Sequence, residues 1–303
     1  MTAPSPLDAP HTSKNVALGL SGSAGAAVLW GFGGIFVDLT YASGLVVAFY
    51  RLWLGAVVLS VIVYASGHRL TWATLRHTWL GGLFLGADMT MFYCAVRQTT
   101  IVDASLIGAL QPALVLVAAR PLFGERMSRR DVGWIVVAMV GVGIAVIGPA
   151  GSGHDRVFGD LLATGALFSF SAYWLVSKHQ RDVTPAVEYT AGVMMVAALL
   201  ATLVVLIAGD SLTTLHARDW IWIVLLAAVP GSGHLVMNWA HRYVDASISA
   251  SISCLSPLVA AVLAIPILSQ PLSLLQVGGV VVGLAAIAIV AARHRQPAEP
   301  PVE

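Results

Sequence analysis

Ten long apolar runs constrain the fold of this chain more than any other feature of its sequence. A helix needs about 20 apolar residues to cross the hydrocarbon core of a bilayer, so each run predicts one membrane-spanning helix. The runs lack the strict alternation of a transmembrane β-barrel, and this excludes strands. The predicted spans are 18–37, 45–65, 79–97, 101–122, 132–149, 158–177, 186–208, 220–240, 246–268 and 274–292.

The composition agrees with this prediction of an all-α membrane protein with ten transmembrane helices. Of the 303 residues, 58% are hydrophobic and only 10% are charged, whereas about 25% of an ordinary soluble domain is charged. The net charge of +1 gives no indication of a nucleic-acid partner. Cys94 and Cys254 lie inside apolar runs and are predicted to be packing residues rather than a disulfide. No Cys or His cluster indicates a metal, and no cofactor is implied.

The positions of Lys and Arg predict the orientation in the membrane. With the N-terminus in the cytoplasm, twelve of the sixteen basic residues lie on the cytoplasmic side, and four, Arg51, Arg97, Arg156 and Arg218, lie towards the outer side. This bias satisfies the positive-inside rule. We therefore predict a multi-pass protein of the cytoplasmic (inner) membrane with both termini in the cytoplasm. The terminal segments 1–17 and 293–303 are polar and rich in proline, which predicts disordered tails.

An internal repeat divides the chain into two halves. Residues 95–133 align with residues 240–278 without a gap at an offset of 145, including a matched arginine, proline and turn. Five spans separate the two copies, and an odd number means that they cross the membrane in opposite directions. This predicts two inverted five-helix repeats, 18–149 and 158–292. Inverted repeats are typical of transporters, which bind their substrates near the midplane between the halves.

Several segments carry a resemblance to a known family. They are "VLWGFGGIFV" in the first span, "AFYRLWLGAVVL" in the second, "ALQPALVLVAARPLFGERMSRRDVGWIVVAMVGVGIAVIG" across the fourth and fifth, and "LSPLVAAVLAIPILSQPLSLLQVGGVVVGLAAIAIV" across the ninth and tenth. Over roughly residues 18–292 the chain resembles the EamA-type members of the drug/metabolite transporter superfamily. The resemblance implies alternating-access transport of a small organic metabolite, such as an amino acid. The resemblance also implies export more often than import, and coupling of transport to protons is frequent in the family.

The motif positions of that family carry over to Trp30-Gly31, Arg51, Pro112, Gly124-Glu125-Arg126 and Pro257. The second half departs from the pattern, because Ser269-Gln270 stands where Gly-Glu is usual. The sequence does not identify the substrate. It also does not decide whether the protein forms a homodimer. A passive facilitator, or a lipid or drug flippase, is the alternative, and flux without pH dependence would distinguish it. A membrane-embedded enzyme is not expected, because the sequence has no HExxH, no GxSxG and no paired catalytic carboxylates on one helix.

Two ionisable residues are predicted to lie near the middle of the membrane. Asp88 is the tenth residue of its nineteen-residue span, and an ionised residue there costs about 2.5–3.5 kcal/mol on insertion scales. Its side chain is therefore expected to face protein or water, either as a carrier of coupled protons or as a hydrogen-bonding packing residue. His234 aligns with Met89 under the repeat and is expected at a similar depth. Asp88 and His234 are the candidates for proton coupling.

A polar face follows on the same helix as His234. His234, Asn238 and His241 are spaced at i, i+4 and i+7, which places them on one side of a helix that could line a cavity. His241 lies near the predicted cytoplasmic end, where it could instead be hydrated. Glu188 lies one turn inside the start of its helix, where it could act as a gate or ligand or could interact with the helix dipole.

The remaining candidates are an arginine, two aromatic residues and two prolines. Arg51 could either snorkel to the membrane surface or bind a carboxylate of the substrate. Trp30 and Tyr173, in the first helix of each half, could form cavity walls or simply pack. Pro112 and Pro257 lack a backbone N–H within their spans, and their matched positions predict hinge or packing roles.

Overall fold

The computed structural model describes residues 13–99, 104, 107–125, 127–146, 156–180, 183–213, 215–268 and 272–294. These residues form α-helices joined by short connections and contain no β-strand. Numbered in chain order, the helices are α1 (Ser13–Gly31), α2 (Gly33–Asp38), α3 (Gly44–Ala65), α4 (Trp72–Gln98), α5 (Gln111–Phe123), α6 (Arg129–Val146), α7 (Arg156–Gln180), α8 (Ala186–Ala208), α9 (Ala217–Ala240), α10 (Ala246–Ser253), α11 (Leu255–Leu268) and α12 (Leu274–Arg293).

Within the described residues, eight helical segments are long and apolar enough to cross a membrane. They correspond to α1 with α2, α3, α4, α7, α8, α9, α10 with α11, and α12. α5 is shorter, with 13 residues, and α6 begins with three charged residues. The all-helical class is confirmed. Ten spans and an inverted repeat remain predictions, because parts of 101–122 and 132–149 lie outside the described residues.

Other predicted features also fall partly or wholly outside the described residues. Residues 1–12 and 295–303, which make up most of the two predicted tails, are among them. The same holds for Arg126 and for the Ser269-Gln270 pair. Helix α1 begins at Ser13, within the segment predicted as the N-terminal tail.

Helix α4 lies at the centre of the bundle, where it packs against α3, α7 and α8. Glycines allow the close approach of α4 and α8. A Cβ atom added to Gly86 would lie 3.0 Å from the backbone of Ala197 on α8. Helices α6 and α12 approach in the same way, since a Cβ atom on Gly141 would lie 2.5 Å from the backbone nitrogen of Gly283. Small residues at helix crossings supply the close packing that holds membrane helices together.

The two prolines lie at helix starts rather than in the middle of continuous helices. Pro112 occupies the first turn of α5, and Pro257 follows the break at Cys254 that separates α10 from α11. A proline in the first turn removes no intrahelical hydrogen bond. The helix is therefore interrupted just before each proline, and the predicted hinge or packing roles stay predictions.

A basic side chain braces one end of the bundle. Nη2 of Arg97, in the last turn of α4, donates to the carbonyl oxygens of Val37, Thr40 and Ala42 at 3.1, 2.7 and 3.2 Å. It also donates to the Thr40 hydroxyl at 2.7 Å. These contacts fix the connection between α2 and α3, because the positive charge meets carbonyl groups at the end of α2, where the helix dipole is negative.

Two charged side chains brace the connection between α9 and α10 at the opposite end. Nζ of Lys178 donates to the carbonyl oxygens of His241 and Val244, both at 2.7 Å. The Glu125 carboxylate accepts hydrogen bonds from the backbone N–H groups of Ala246 and Ser247 at 2.8 and 3.0 Å. Lysine thus meets the C-terminal end of one helix and glutamate the N-terminal end of the next, and both pairings suit the helix dipoles.

The same end of the bundle carries an ion pair between α6 and α12. Nε of Arg293 donates to Oδ1 of Asp131 at 2.6 Å, and the Ser128 hydroxyl donates to its other oxygen. Burial raises the pKa of Asp131, but these hydrogen bonds and the charges of His294 and Arg293 outweigh burial. The pKa of this carboxyl therefore lies below its usual value.

Candidate functional site

Arg51 and Asp88 are both buried among apolar helices. Arg51 lies on α3 and is 2% exposed, and Asp88 lies on α4 and is 5% exposed. Nη1 of Arg51 contacts the sulfur of Met89 at 2.7 Å, and its guanidinium carbon lies 6.0 Å from the centre of the Tyr93 ring. Arg51 therefore points into the protein, and the alternative in which it snorkels to the membrane surface is wrong.

An aromatic group surrounds His234 on α9. Its ring centre lies 5.2 Å from that of Trp30, 5.8 Å from that of Tyr173 and 6.4 Å from that of Phe170. Gly233 makes room for Trp30, because a Cβ atom there would lie 2.7 Å from the indole nitrogen. Nε1 of Trp30 and Nδ1 of His234 are buried and have no hydrogen-bond partner within the described part of the chain. Buried polar groups of this kind call for a ligand or an ordered water.

Asn238 connects three helices below this aromatic group. Its Nδ2 atom donates to the Tyr173 hydroxyl at 3.1 Å and to Oγ1 of Thr190 at 3.0 Å. The Thr190 hydroxyl in turn donates to the carbonyl oxygen of Ala186 at 2.7 Å. Asn238 therefore links α9 to α7 and α8 and holds the Tyr173 hydroxyl in place.

The predicted polar face of α9 is buried along its length. His234, Asn238 and His241 are each 1% exposed. The His241 ring centre lies 4.9 Å from that of Trp174. His241 is therefore enclosed by protein rather than hydrated.

Packing joins these residues into one cluster. Met89 and Tyr93, which contact Arg51, belong to the same buried core as Tyr173, whose ring adjoins that of His234. The cluster thus brings together α3 and α4 from the first half of the chain with α7 and α9 from the second. Sequence reasoning singled out these residues one by one, but it gave no signal for Met89, which contacts Arg51, or Thr190, which binds Asn238.

Glu188 does not contact this cluster. It lies in the first turn of α8, and its Oε1 atom is 2.8 Å from Nδ1 of His68 in the connection between α3 and α4. The Glu188 side chain is 18% exposed, and that of His68 is 59% exposed. Glu188 therefore lies at the end of the bundle, and within the described residues no hydrogen bond or ion pair joins it to the buried cluster.

Outside the buried cluster, we looked for thiol pairs and metal ligands among the described residues. Cys94 and Cys254 are both free. The described residues contain no group of three or more His, Cys, Asp or Glu side chains suited to holding a metal ion. Gln111 and Ser253 meet at the two helix breaks, where the Ser253 hydroxyl donates to Oε1 of Gln111 at 3.0 Å.

Apolar helices of membrane-spanning length around a buried polar cluster define a multi-pass helical membrane protein. The model of the EamA-like transporter family matches residues 17–147 and 157–292. The chain belongs to this family, and its broad function is transport.

Two comparisons with single proteins agree with this assignment. The chain is 26% identical over 279 residues to "Uncharacterized transporter YwfM" of Bacillus subtilis (strain 168), covering 89% of this chain and 93% of that protein. A crystal structure with 19% sequence identity shares the fold with a TM-score of 0.76, covering 93% of this chain and 99% of the other.

Proposed function

We propose that the protein is a secondary transporter that moves a small organic solute across the cytoplasmic membrane by alternating access. The observation that carries this proposal is the buried cluster of Arg51, Asp88, Tyr173, His234 and Asn238 among apolar helices. Ionisable residues inside membrane helices are costly, and they mark substrate or ion pathways. The cluster is built from both halves of the chain, which is where transporters of this architecture bind their substrates.

The residues divide into roles according to their contacts. Trp30, Tyr173 and Asn238 form the wall that holds the solute, and Arg51 supplies the positive charge. Glu188, paired with His68 at the end of α8, acts as a gating contact at the rim.

Proton coupling is assigned to Asp88 and His234, the two ionisable residues predicted to lie near the middle of the membrane. The breaks before Pro112 and Pro257 are the hinges that let each half change its shape. A helix that is already interrupted bends at lower cost than a continuous one.

We propose an amino acid or related metabolite as the solute and export as the direction, because the family resemblance implies both. The basic residues near the Lys178 end of the bundle support a cytoplasmic location for that end. Gly19, near the start of α1, lies against Tyr243 after α9, and the end of α12 is held by Asp131. The start of the first described helix and the end of the last one therefore lie at this same end.

A two-step experiment tests the proposed function. Purified protein is first screened by thermal shift against amino acids, nucleosides, organic acids and lipophilic drugs. A ligand that binds only the folded state at about 100 times its dissociation constant adds roughly 2.7 kcal/mol of stability. Each hit is then loaded into proteoliposomes, and its flux is measured with and without a pH gradient.

The proposal expects uphill movement of the hit when a pH gradient is imposed, and loss of that movement in Asp88→Asn. The matched control is Asp38→Asn, because Asp38 is an exposed aspartate at the end of α2. Flux that only follows the concentration gradient at every pH would instead identify a passive facilitator. Flux of labelled lipid with no effect of the hit would identify a flippase.

A further inference from the structure

The guanidinium of Arg51 is buried without an anion beside it. Its hydrogen-bond acceptor in the described part of the chain is the sulfur of Met89, at 2.7 Å. A thioether is a weak acceptor, whereas a guanidinium carries five N–H donors. Other arginines of this chain have stronger hydrogen-bond acceptors. Arg97 donates to four oxygen atoms, and Arg293 donates to the carboxylate of Asp131.

Asp88 balances the charge of Arg51 only from a distance. Asp88 precedes Met89 in the sequence, yet within the described residues it forms no direct ion pair with Arg51. Buried charges are normally paired and hydrogen-bonded, because desolvation is costly. An anionic group bound next to Arg51 would therefore supply the charged partner that the protein itself does not.

Two neighbouring nitrogen atoms lack partners as well. Nε1 of Trp30 can only donate a hydrogen bond, and Nδ1 of His234 donates in one of its two neutral tautomers. Both atoms are buried and unpartnered within the described residues, and their rings lie 5.2 Å apart. The arginine and the indole thus both need acceptor oxygens, and the histidine can take one too.

We propose that the transported solute carries an acidic group that binds Arg51, and that a proton on Asp88 accompanies it. The proposal rests on the proposed transport function and assigns the charge class of its solute. A cationic solute would be repelled by Arg51. A simple carboxylate would instead gain the donors that the protein leaves unpaired.

Charge balance accounts for the accompanying proton. Arg51 and an ionised Asp88 sum to zero, so a bound monoanion would leave one uncompensated negative charge in a region of low dielectric constant. Uptake of one proton from water by Asp88 restores neutrality, which makes anion and proton binding mutually favourable. Solute and proton then cross the membrane together through a neutral site. Export is therefore driven by the outward gradient of the solute, and an imposed pH gradient drives the solute towards the side of higher pH.

The groups around Asp88 favour its carboxyl as the proton acceptor. Arg51 on α3 contacts Met89, the residue after Asp88, and lies over the ring of Tyr93 on the same helix as Asp88. His234 lies on α9. Other titratable side chains on α4 and on the helices packed against it include Arg76, His77, Cys94 and Arg97 on α4, Tyr50 and Tyr64 on α3, Asp38 at the end of α2, Asp160, Tyr173, Lys178 and His179 on α7, and Glu188 and Tyr189 on α8. Protonation of Asp88 removes a buried negative charge, whereas protonation of His234 would add a second buried positive charge beside that of Arg51, so the proposal places the proton on Asp88.

The test uses probes that share one carbon skeleton and differ in charge. Full-length protein is screened by thermal shift with 3-phenylpropionate, 3-phenylpropionamide, 3-phenylpropylamine and phenylalanine between pH 6 and pH 8.5. The carboxylate of the first probe stays ionised in this range, as carboxyl groups titrate near pH 4. We expect the acid to bind and the amide and amine not to bind. The dissociation constant of the acid should rise by up to about tenfold per pH unit, the limit for one linked proton.

Three variants locate the effect. Arg51→Met should lose acid binding, and Asp88→Asn should bind the acid at every pH as tightly as the wild type does at low pH. Asp38→Asn, the exposed control, should match the wild type. If Arg51→Met does not fold in detergent, Arg51→Lys keeps the charge but loses the forked geometry, and acid affinity should fall about tenfold.

Several results would overturn the proposal. These are stabilisation by the amine or the amide in place of the acid, acid binding that survives Arg51→Met, or binding of phenylalanine with no pH dependence while the acid fails to bind. Flux in proteoliposomes separates this failure from failure of the transport function. Movement of the amine would leave transport intact and refute the acidic solute, whereas an acid that binds but is never moved would refute transport.

Discussion

Removal of the Glu125 carboxylate should destabilise the start of α10 by about 2 kcal/mol. The carboxylate accepts three hydrogen bonds, from the N–H groups of Ala246 and Ser247 and from the Ser247 hydroxyl at 2.7 Å. Asp245, at the N-cap position, makes no capping hydrogen bond with its own side chain. Glu125 therefore supplies the cap of a buried helix from a distant part of the chain.

The magnitude follows from these contacts. Hydrogen bonds to a charged group contribute about 1.5–3 kcal/mol each, and loss of an N-cap costs about 0.5–2 kcal/mol. Glu125 is only partly buried, so water replaces some of the lost bonds in Glu125→Ala, and the bonds are not additive. We therefore expect Glu125→Ala to lower the free energy of unfolding by about 2 kcal/mol. Glu125→Gln keeps an acceptor oxygen and should lose about half as much.

Thermal unfolding in detergent at one scan rate measures the effect. For a chain of this length, about 2 kcal/mol corresponds to a fall in Tm of roughly 3 °C, from an unfolding entropy of about 2.1 cal/mol/K per residue. The order of stability should be wild type, Glu125→Gln, then Glu125→Ala. Equal Tm values for all three proteins would refute the idea that this carboxylate caps α10.

Three further predictions concern other parts of the molecule. Gly86→Val should lower stability by about 1–3 kcal/mol because its side chain would meet Ala197, whereas Gly133→Ala, with open space around it, should not lower the melting temperature. Asn238→Leu should cost about 1–3 kcal/mol through its lost hydrogen bonds and should reduce solute binding in the same thermal assay. Because the pKa of Asp131 is lowered in the folded protein, its contribution to stability is present above about pH 4 and is lost as the pH falls through the folded-state pKa. The difference in Tm between wild type and Asp131→Asn should therefore shrink below pH 4.

Sequence periodicity was sufficient for features that depend on one helix. The spacing of His234, Asn238 and His241 predicted a shared polar face, and all three residues are buried. The position of Asp88 in the middle of an apolar run likewise predicted a side chain that faces protein or water, and Asp88 is buried in protein. Such patterns are readable because the helical repeat and the bilayer thickness are fixed.

Contacts between distant segments could not be read in this way. The partner of Glu125 lies 121 residues away in the chain. The contact between Glu188 and His68 exists because the α3–α4 connection lies beside the start of α8, and the sequence does not indicate this arrangement. Arg51 left two alternatives open because snorkelling and inward binding begin from the same helix position. Tertiary packing excludes snorkelling, since α4 brings Met89 and Tyr93 against the guanidinium, whereas binding of a substrate carboxylate stays a prediction.

The few charged side chains of this chain act largely on backbone groups at helix ends. Arg97 and Lys178 bind carbonyl oxygens where helices end, and Glu125 binds N–H groups where one begins. In an apolar surrounding each of these backbone groups would be costly to leave unsatisfied. A charge placed there meets the helix dipole and binds two or more backbone groups at once. Arg51 differs from these three residues, because its charge faces side chains among buried helices, and this difference in surroundings is why a solute rather than the fold is expected to complete its contacts.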